Sequence, residues 1–156
     1  EQSVATISST AIRQTLSDGR PQDAAEMLGH WHRIEGPVIA GEQRGRTLGY
    51  PTANMSIDGL LPPAFGVYAV LVDVLDGPHQ GQFHGVSSLG KRPMFGENHP
   101  NLETFLFNFS GDLYGSCLSI ALVDYLREEE KFQGLEALVT QMDSDSARAQ
   151  CILAAL

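Results

Sequence analysis

Between Trp31 and Leu126 the chain offers a succession of short strand-like segments with nothing helical between them. The segments are 31–39, 50–57, 66–75, 80–89, 101–109 and 117–126, each bounded by clusters of Gly, Pro, Asn or Asp. Parallel strands need a long crossover, usually a helix, so a run of strands without helices pairs antiparallel. Six such strands suit a sheet closed into a small barrel. The fold class expected is therefore mainly β.

The flanks have a different texture. Ser8 and Ser9 suit an N-cap, Ile12 and Leu16 share a helical face, and Asp18-Gly19 stops that helix. Pro21 fits the first turn of a second helix that ends at Leu28-Gly29. After the last strand, Phe132, Leu135, Leu138, Val139 and Met142 recur at helical spacing. They follow Glu128-Glu129-Glu130, whose acid complements a helix N-terminus. A boundary is expected near residue 29. No internal repeat or low-complexity segment is present.

Composition narrows the function classes. The chain has 156 residues, 42% hydrophobic and 19% charged, which suits one globular domain. Ten Lys+Arg against 19 Asp+Glu give a net charge of −9, which disfavours nucleic acid or an anionic membrane as partner. Cys117 and Cys151 make no disulfide framework and read as small buried hydrophobes. None of His30, His32, His79, His84 and His99 has a partner at metal-ligand spacing. No apolar run approaches the roughly 20 residues of a membrane span, and no signal-peptide pattern opens the chain. A cytoplasmic location is expected. The sequence opens at Glu1 rather than Met, and we read it as a piece of something longer.

Charge placement is the first pointer to a ligand. Between residues 36 and 126 the positive side chains are Arg44, Arg46, Lys91 and Arg92, all in two loops rich in Gly or Pro, 41–49 and 90–96. An acidic chain that concentrates its cations beside flexible backbone suits a small polyanion such as a nucleotide. The plainer reading is that Arg is at ease in any exposed loop. Neither loop fits a Walker A or dinucleotide fingerprint.

Directly after the first loop comes Tyr50-Pro51-Thr52-Ala53-Asn54. Pro51 favours an extended entry, and in extended chain Thr52 and Asn54 face the same side. Two neutral oxygens beside a phosphate loop suit Mg²⁺, which takes few protein ligands and completes its shell with phosphates and water. Equally, a Thr and an Asn at a strand start can satisfy local backbone groups. Glu103 is the third candidate. Strand alternation puts it in phase with Phe105, Phe107 and Phe109, a place where a carboxylate is either at a barrel mouth or costly to bury. A partly desolvated Glu makes a good general base. A strand-end Glu can also simply escape to solvent. Arg127 either lines a pocket or caps acidic neighbours, and Asp112-Leu113-Tyr114-Gly115 reads as a hairpin turn.

Taken together, these residues resemble the riboflavin kinase family. The run Gly41 to Asn54 is similar to its signature, and the likeness continues through 60–68, Gly90 to Gly96, Leu102-Glu103-Thr104, 112–115, Tyr125-Leu126-Arg127 and Lys131-Phe132. It covers about residues 30–150 in the family's order and spacing. Ile7-Ser8-Ser9-Thr10-Ala11-Ile12-Arg13 resembles the last motif of the adenylyltransferase module in bacterial bifunctional FAD synthetases. That module's early His-containing nucleotide motif is missing. The resemblance thus divides the chain into 1–29, a helical remnant or linker from a preceding module, and 30–156, the kinase domain. Adenylyltransferase activity is not expected of it. Residues 1–29 would lack that module as a partner for their apolar faces, so a loose arm is one expected outcome.

The resemblance implies a six-stranded antiparallel Greek-key barrel with a C-terminal helix and a short helical N-terminal extension. It implies transfer of the γ-phosphoryl group of ATP to the terminal ribityl hydroxyl of riboflavin, giving FMN and ADP. Carried over by motif, Thr52 and Asn54 would hold Mg²⁺, with Thr52 also touching the nucleotide phosphates. Gly41, Gly45 and Arg46 would cradle those phosphates. Glu103 would take the hydroxyl proton. Arg127 and Phe132 would shape the flavin end, and the flap carrying Lys91 and Arg92 would close over the ligands. Lys91 and Met94 stand where small hydroxyl residues are expected. The partners implied are riboflavin, FMN, ATP, ADP and the parent chain's adenylyltransferase module. The alternatives weighed are a barrel that binds flavin or nucleotide without turnover, and an oligonucleotide-binding barrel. The latter would want a basic groove that this charge pattern does not provide.

Overall fold

The computed structural model describes residues 9–39, 52–57, 63–91, 100–109, 113–129 and 134–156. Two short helices come first, α1 (Ser9–Ser17) and α2 (Pro21–Leu28). Six strands follow: β1 (Arg33–Pro37), β2 (Ala53–Ser56), β3 (Gly66–Val74), β4 (Gly81–Lys91), β5 (Pro100–Leu106) and β6 (Cys117–Arg127). A 20-residue helix, α3 (Leu135–Ala154), closes the chain.

The strands form one antiparallel sheet in the order β1-β6-β3-β4-β5-β2. The chain leaving β1 reaches the far edge, where Ile39 bridges to Asn54 and its N–H donates to the Asn54 carbonyl at 2.8 Å. That contact brings the sheet close to a closed barrel. Alternation sorts the side chains into two sets. Inside lie Ile34, Met55, Tyr68, Val70, Val72, Leu89, Leu102, Leu118, Ile120 and Leu122, all buried. Outside, Val67, Ala69, Phe107, Val123 and Leu126 pack against Ala149 and Leu153 of α3. Two register shifts in the β3–β6 pairing fall where Val123 and Leu126 lie on β6. An extra residue in one strand turns both of these toward the helix instead of the barrel interior.

The turn chemistry acts as the sequence predicts. Gly19 and Gly29 stop α1 and α2 at positive φ, +76° and +82°, and Pro21 occupies the first turn of α2. The N-terminal helices dock on the barrel instead of forming a loose arm. Leu16 is buried, its carbonyl accepts the Ala64 N–H at 2.9 Å, and Gly19 lies against the Tyr125 ring.

Three expectations change. The helix α3 starts at Leu135 behind a Gly134 cap, so Glu128 and Glu129 precede it and the acid of its first turn is Glu136. Cys151 is exposed and Cys117 half-buried, so neither is a core residue. The aromatic series after Glu103 also divides. The strand ends at Leu106 and Asn108 adopts φ +55°, so Phe105 and Phe107 pack in the outer cluster while Phe109 joins the inner one.

Candidate functional site

Strand pairing assembles the site. Asn54 on β2 is the register partner of Glu103 on β5, and Glu103 is the partner of Ser88 on β4. Ser88 pairs with Val67 on β3, and Val67 with Arg127 on β6. Asn54, Glu103, Ser88, Val67 and Arg127 therefore form one lateral row on the outer face. Directly paired residues have Cβ atoms about 5 Å apart, so the Asn54 amide and the Glu103 carboxylate are immediate neighbours. Arg127 is three strand spacings from Glu103, roughly 14 Å.

The flanking residues set the local polarity. Thr52 is half-buried immediately before β2, and in extended chain it shares a face with Asn54. The Asn54 side chain is 3% exposed, and its Oδ1 accepts a hydrogen bond from Asn101 Nδ2 at 3.2 Å. Glu103 is half-buried. On the inner face of the same strands, Ser87 and Thr104 share a buried hydroxyl contact of 2.7 Å, so the barrel is hydrogen-bonded directly beneath the site.

At the other end of the row, Arg127 is held on α3. Its Nε and Nη2 donate to the Asp145 carboxylate at 3.0 and 2.8 Å, and its Nη1 donates to the Glu128 carbonyl at 3.0 Å. Asp145 is 3% exposed and also accepts from Gln141 Nε2 at 2.9 Å. Of the two readings open for Arg127, its guanidinium satisfies the one in which it binds acidic neighbours.

The same end carries a tyrosine pair. Tyr68 and Tyr125 meet edge to face at 5.1 Å and donate to the carbonyls of Ala64 and Phe65, at 2.6 and 2.7 Å. Burial pushes both phenol pKa values up, and Tyr125 is raised further by the charges of Glu128 and Glu129. Gly66 lies between them, where a Cβ would run into Tyr125 and the Arg127 carbonyl.

Thr52, Asn54, Glu103 and Arg127 thus fall among the described residues, and the first three cluster. Gly41, Gly45, Arg46, Arg92, Met94 and Phe132 lie outside them, as does the side chain of Lys91. Sequence reasoning passed over Asn101, Asp145 and the contact between the Glu129 carboxylate and Gly90. Asn101 carried a usable signal, because it is in strand phase with Glu103. Asp145 carried none, since its role depends on how α3 lies across the sheet.

The donor set suits a hard cation partly coordinated by phosphate: neutral oxygens on Thr52 and Asn54, a carboxylate next door, and no competing His or Cys cluster among the described residues. The model of a protein family described as riboflavin kinase matches residues 28–153. The chain belongs to the riboflavin kinase family. Bifunctional riboflavin kinase/FMN adenylyltransferase from Haemophilus influenzae is 40% identical over 144 residues, covering 92% of this chain and 46% of that protein. The enzyme of the same name from Bacillus subtilis is 38% identical over 149 residues, covering 92% of this chain and 45% of that protein. The chain therefore spans just under half the length of these relatives and corresponds to their riboflavin kinase part.

Two solved structures share the fold of this riboflavin kinase module. One, described as a macrolide-efflux protein from Streptococcus pneumoniae, is 36% identical with a TM-score of 0.79, over 89% of this chain and 45% of that one. The riboflavin kinase of Trypanosoma brucei is 24% identical with a TM-score of 0.56, over 78% of each chain, a likeness of fold. No helix among the described residues of the module is long and apolar enough to cross a membrane.

Proposed function

We propose that this module transfers the γ-phosphoryl group of ATP to the 5′-hydroxyl of the riboflavin ribityl chain, giving FMN and ADP. The observation that carries the reading is the register pairing of Asn54 with Glu103, which sets a neutral oxygen ligand beside a carboxylate. Phosphoryl transfer asks the protein for positioning and for charge stabilisation, and little else. The bond formed joins the ribityl oxygen to the γ-phosphorus, and the bond broken joins that phosphorus to the β–γ bridging oxygen. The hydroxyl proton passes to the Glu103 carboxylate, and ADP leaves.

Each remaining residue has a part in this reading. Thr52 and Asn54 hold Mg²⁺, which when bound neutralises charge on the phosphate oxygens. Gly41, Gly45 and Arg46 cradle the phosphates, Lys91 at the end of β4 and Arg92 after it lead into the flap, and Arg127 and Phe132 shape the flavin end. Arg127 does so from a guanidinium already fixed by Asp145, which keeps it rigid. Residues 1–29 are the tail of a preceding adenylyltransferase module, 30–156 are the kinase, and the parent protein is cytoplasmic. The deciding experiment incubates the purified chain with riboflavin and ATP, with and without Mg²⁺, and resolves FMN and ADP by chromatography. Metal-dependent FMN in step with ADP is expected. Flavin or nucleotide binding without FMN would overturn the kinase reading in favour of a binding-only barrel.

A further inference from the structure

Asn101 shares the outer face with Asn54 and Glu103. It is fully buried, near the start of β5, and opposite Gly90 on β4 and Ser56 on β2. Its Nδ2 donates to Asn54 Oδ1 at 3.2 Å, while its own Oδ1 is buried without a hydrogen-bond partner among the described residues. An orphaned buried carbonyl oxygen destabilises a fold, because its hydration is lost without replacement. Fold stability alone does not single out Asn here, because the amide satisfies the buried Asn54 Oδ1 while leaving its own oxygen orphaned.

The bond to Asn54 supplies a reason. A carboxamide oxygen has two lone pairs, and its amide can rotate to exchange oxygen for nitrogen. A donor on one lone pair of Asn54 Oδ1 selects the rotamer in which oxygen faces the site and leaves the second lone pair for a cation. We propose that Asn101 is a positioning residue that orients the Asn54 amide for the divalent metal of the nucleotide complex. This rests on the reading of Thr52 and Asn54 given above. Residues that orient metal ligands in this way are typically worth 10–100-fold in metal affinity or activity.

The test measures ADP binding by calorimetry across a Mg²⁺ titration, for the parent chain and for Asn101→Leu, with thermal unfolding of both. Activity against Mg²⁺ is followed in parallel. The half-saturating Mg²⁺ concentration is expected to rise at least tenfold in the variant, with turnover largely restored by excess Mg²⁺. A merely structural Asn101 would leave the Mg²⁺ dependence where it was, and that result overturns the proposal. Asn101→Ala removes the same donor without any risk of overpacking. It carries the test if the Leu variant does not fold, with the same shift expected and the same null result decisive. Metal-independent ADP binding in the parent would overturn the Thr52/Asn54 site itself. Mg²⁺-dependent ADP binding in the parent with no shift in the variants would overturn the role of Asn101 alone.

Discussion

At the scale of single residues, the feature that carries the proposal is the Glu103 carboxylate next to the Asn54 carboxamide. Glu103 can accept a proton only while it is ionised, and the amide at the same position is nearly isosteric but cannot accept one. Positioned general bases contribute typically 10²–10⁴-fold to rate. Glu103→Gln is expected to lower turnover by about that factor, with riboflavin and ADP affinities within a few-fold of the parent. Single-turnover FMN formation together with calorimetric binding separates the two effects. A variant turning over within a few-fold of the parent would remove Glu103 from the role. The pairing of Glu103 with Asn54 was half legible in the sequence. Alternation fixed which side each side chain takes along its own strand, but the register that makes them neighbours depends on how β2 joins the β5 edge.

At the scale of elements, the strands were readable because each is a short β-rich run bounded by residues with distinct backbone chemistry, such as Gly66 at the start of β3 or Gly115 just before β6. What escaped was how the elements lie on one another. The acidic triplet 128–130 looked like the start of the last helix, yet the helix begins at Leu135, because Glu128 and Glu129 belong to the exit from β6. The clamp joining β6 to α3 was equally invisible. Arg127 binds Asp145 across 18 residues, and Arg148 Nη1 donates to the Leu126 carbonyl at 2.9 Å. Truncating one partner of a buried pair typically costs 3–5 kcal/mol, and the partial exposure of Arg127 reduces that. Asp145→Ala should therefore lose about 2–3 kcal/mol, roughly 4–12 °C in melting temperature. Asp145→Asn, which keeps one acceptor oxygen, should lose less. A melting temperature within 1 °C of the parent in Asp145→Ala would show that the Arg127–Asp145 pair is not needed to hold α3.

The N-terminal helices pose the same question of docking. The Leu16 side chain of α1 is buried, so Leu16→Ala should destabilise by about 2–5 kcal/mol if the extension unfolds together with the barrel. An extension that melts independently would instead show a separate early transition by hydrogen exchange, leaving the barrel amides protected as before.

For the whole molecule, the pH dependence of stability follows from a few buried groups. Burial lowers the pKa of His32, and the nearby His30 lowers it further. Its folded-state pKa lies below the unfolded value of about 6.5, so the unfolded chain binds the extra proton first. The stability this group provides is complete above about pH 6.5 and drains away as pH falls toward the folded pKa. Tyr68 and Tyr125 act at the opposite limit. Burial raises both, so their contribution is complete below the unfolded phenol pKa of about 10 and is lost as pH climbs above it. Urea midpoints measured from pH 5 to 11 should therefore show a plateau with two falling limbs. His32→Asn should flatten the acid limb below about pH 6.5 and leave the alkaline one unchanged. Tyr125→Phe should soften only the alkaline limb, because Tyr68 still titrates there. It should also lower the plateau by about 1 kcal/mol, through loss of the bond to the Phe65 carbonyl. Superimposable acid limbs for the parent and His32→Asn would assign that limb to the chain's many carboxylates. In that case salt, which screens their mutual repulsion in a chain of net charge −9, should shift the whole profile more than either substitution does.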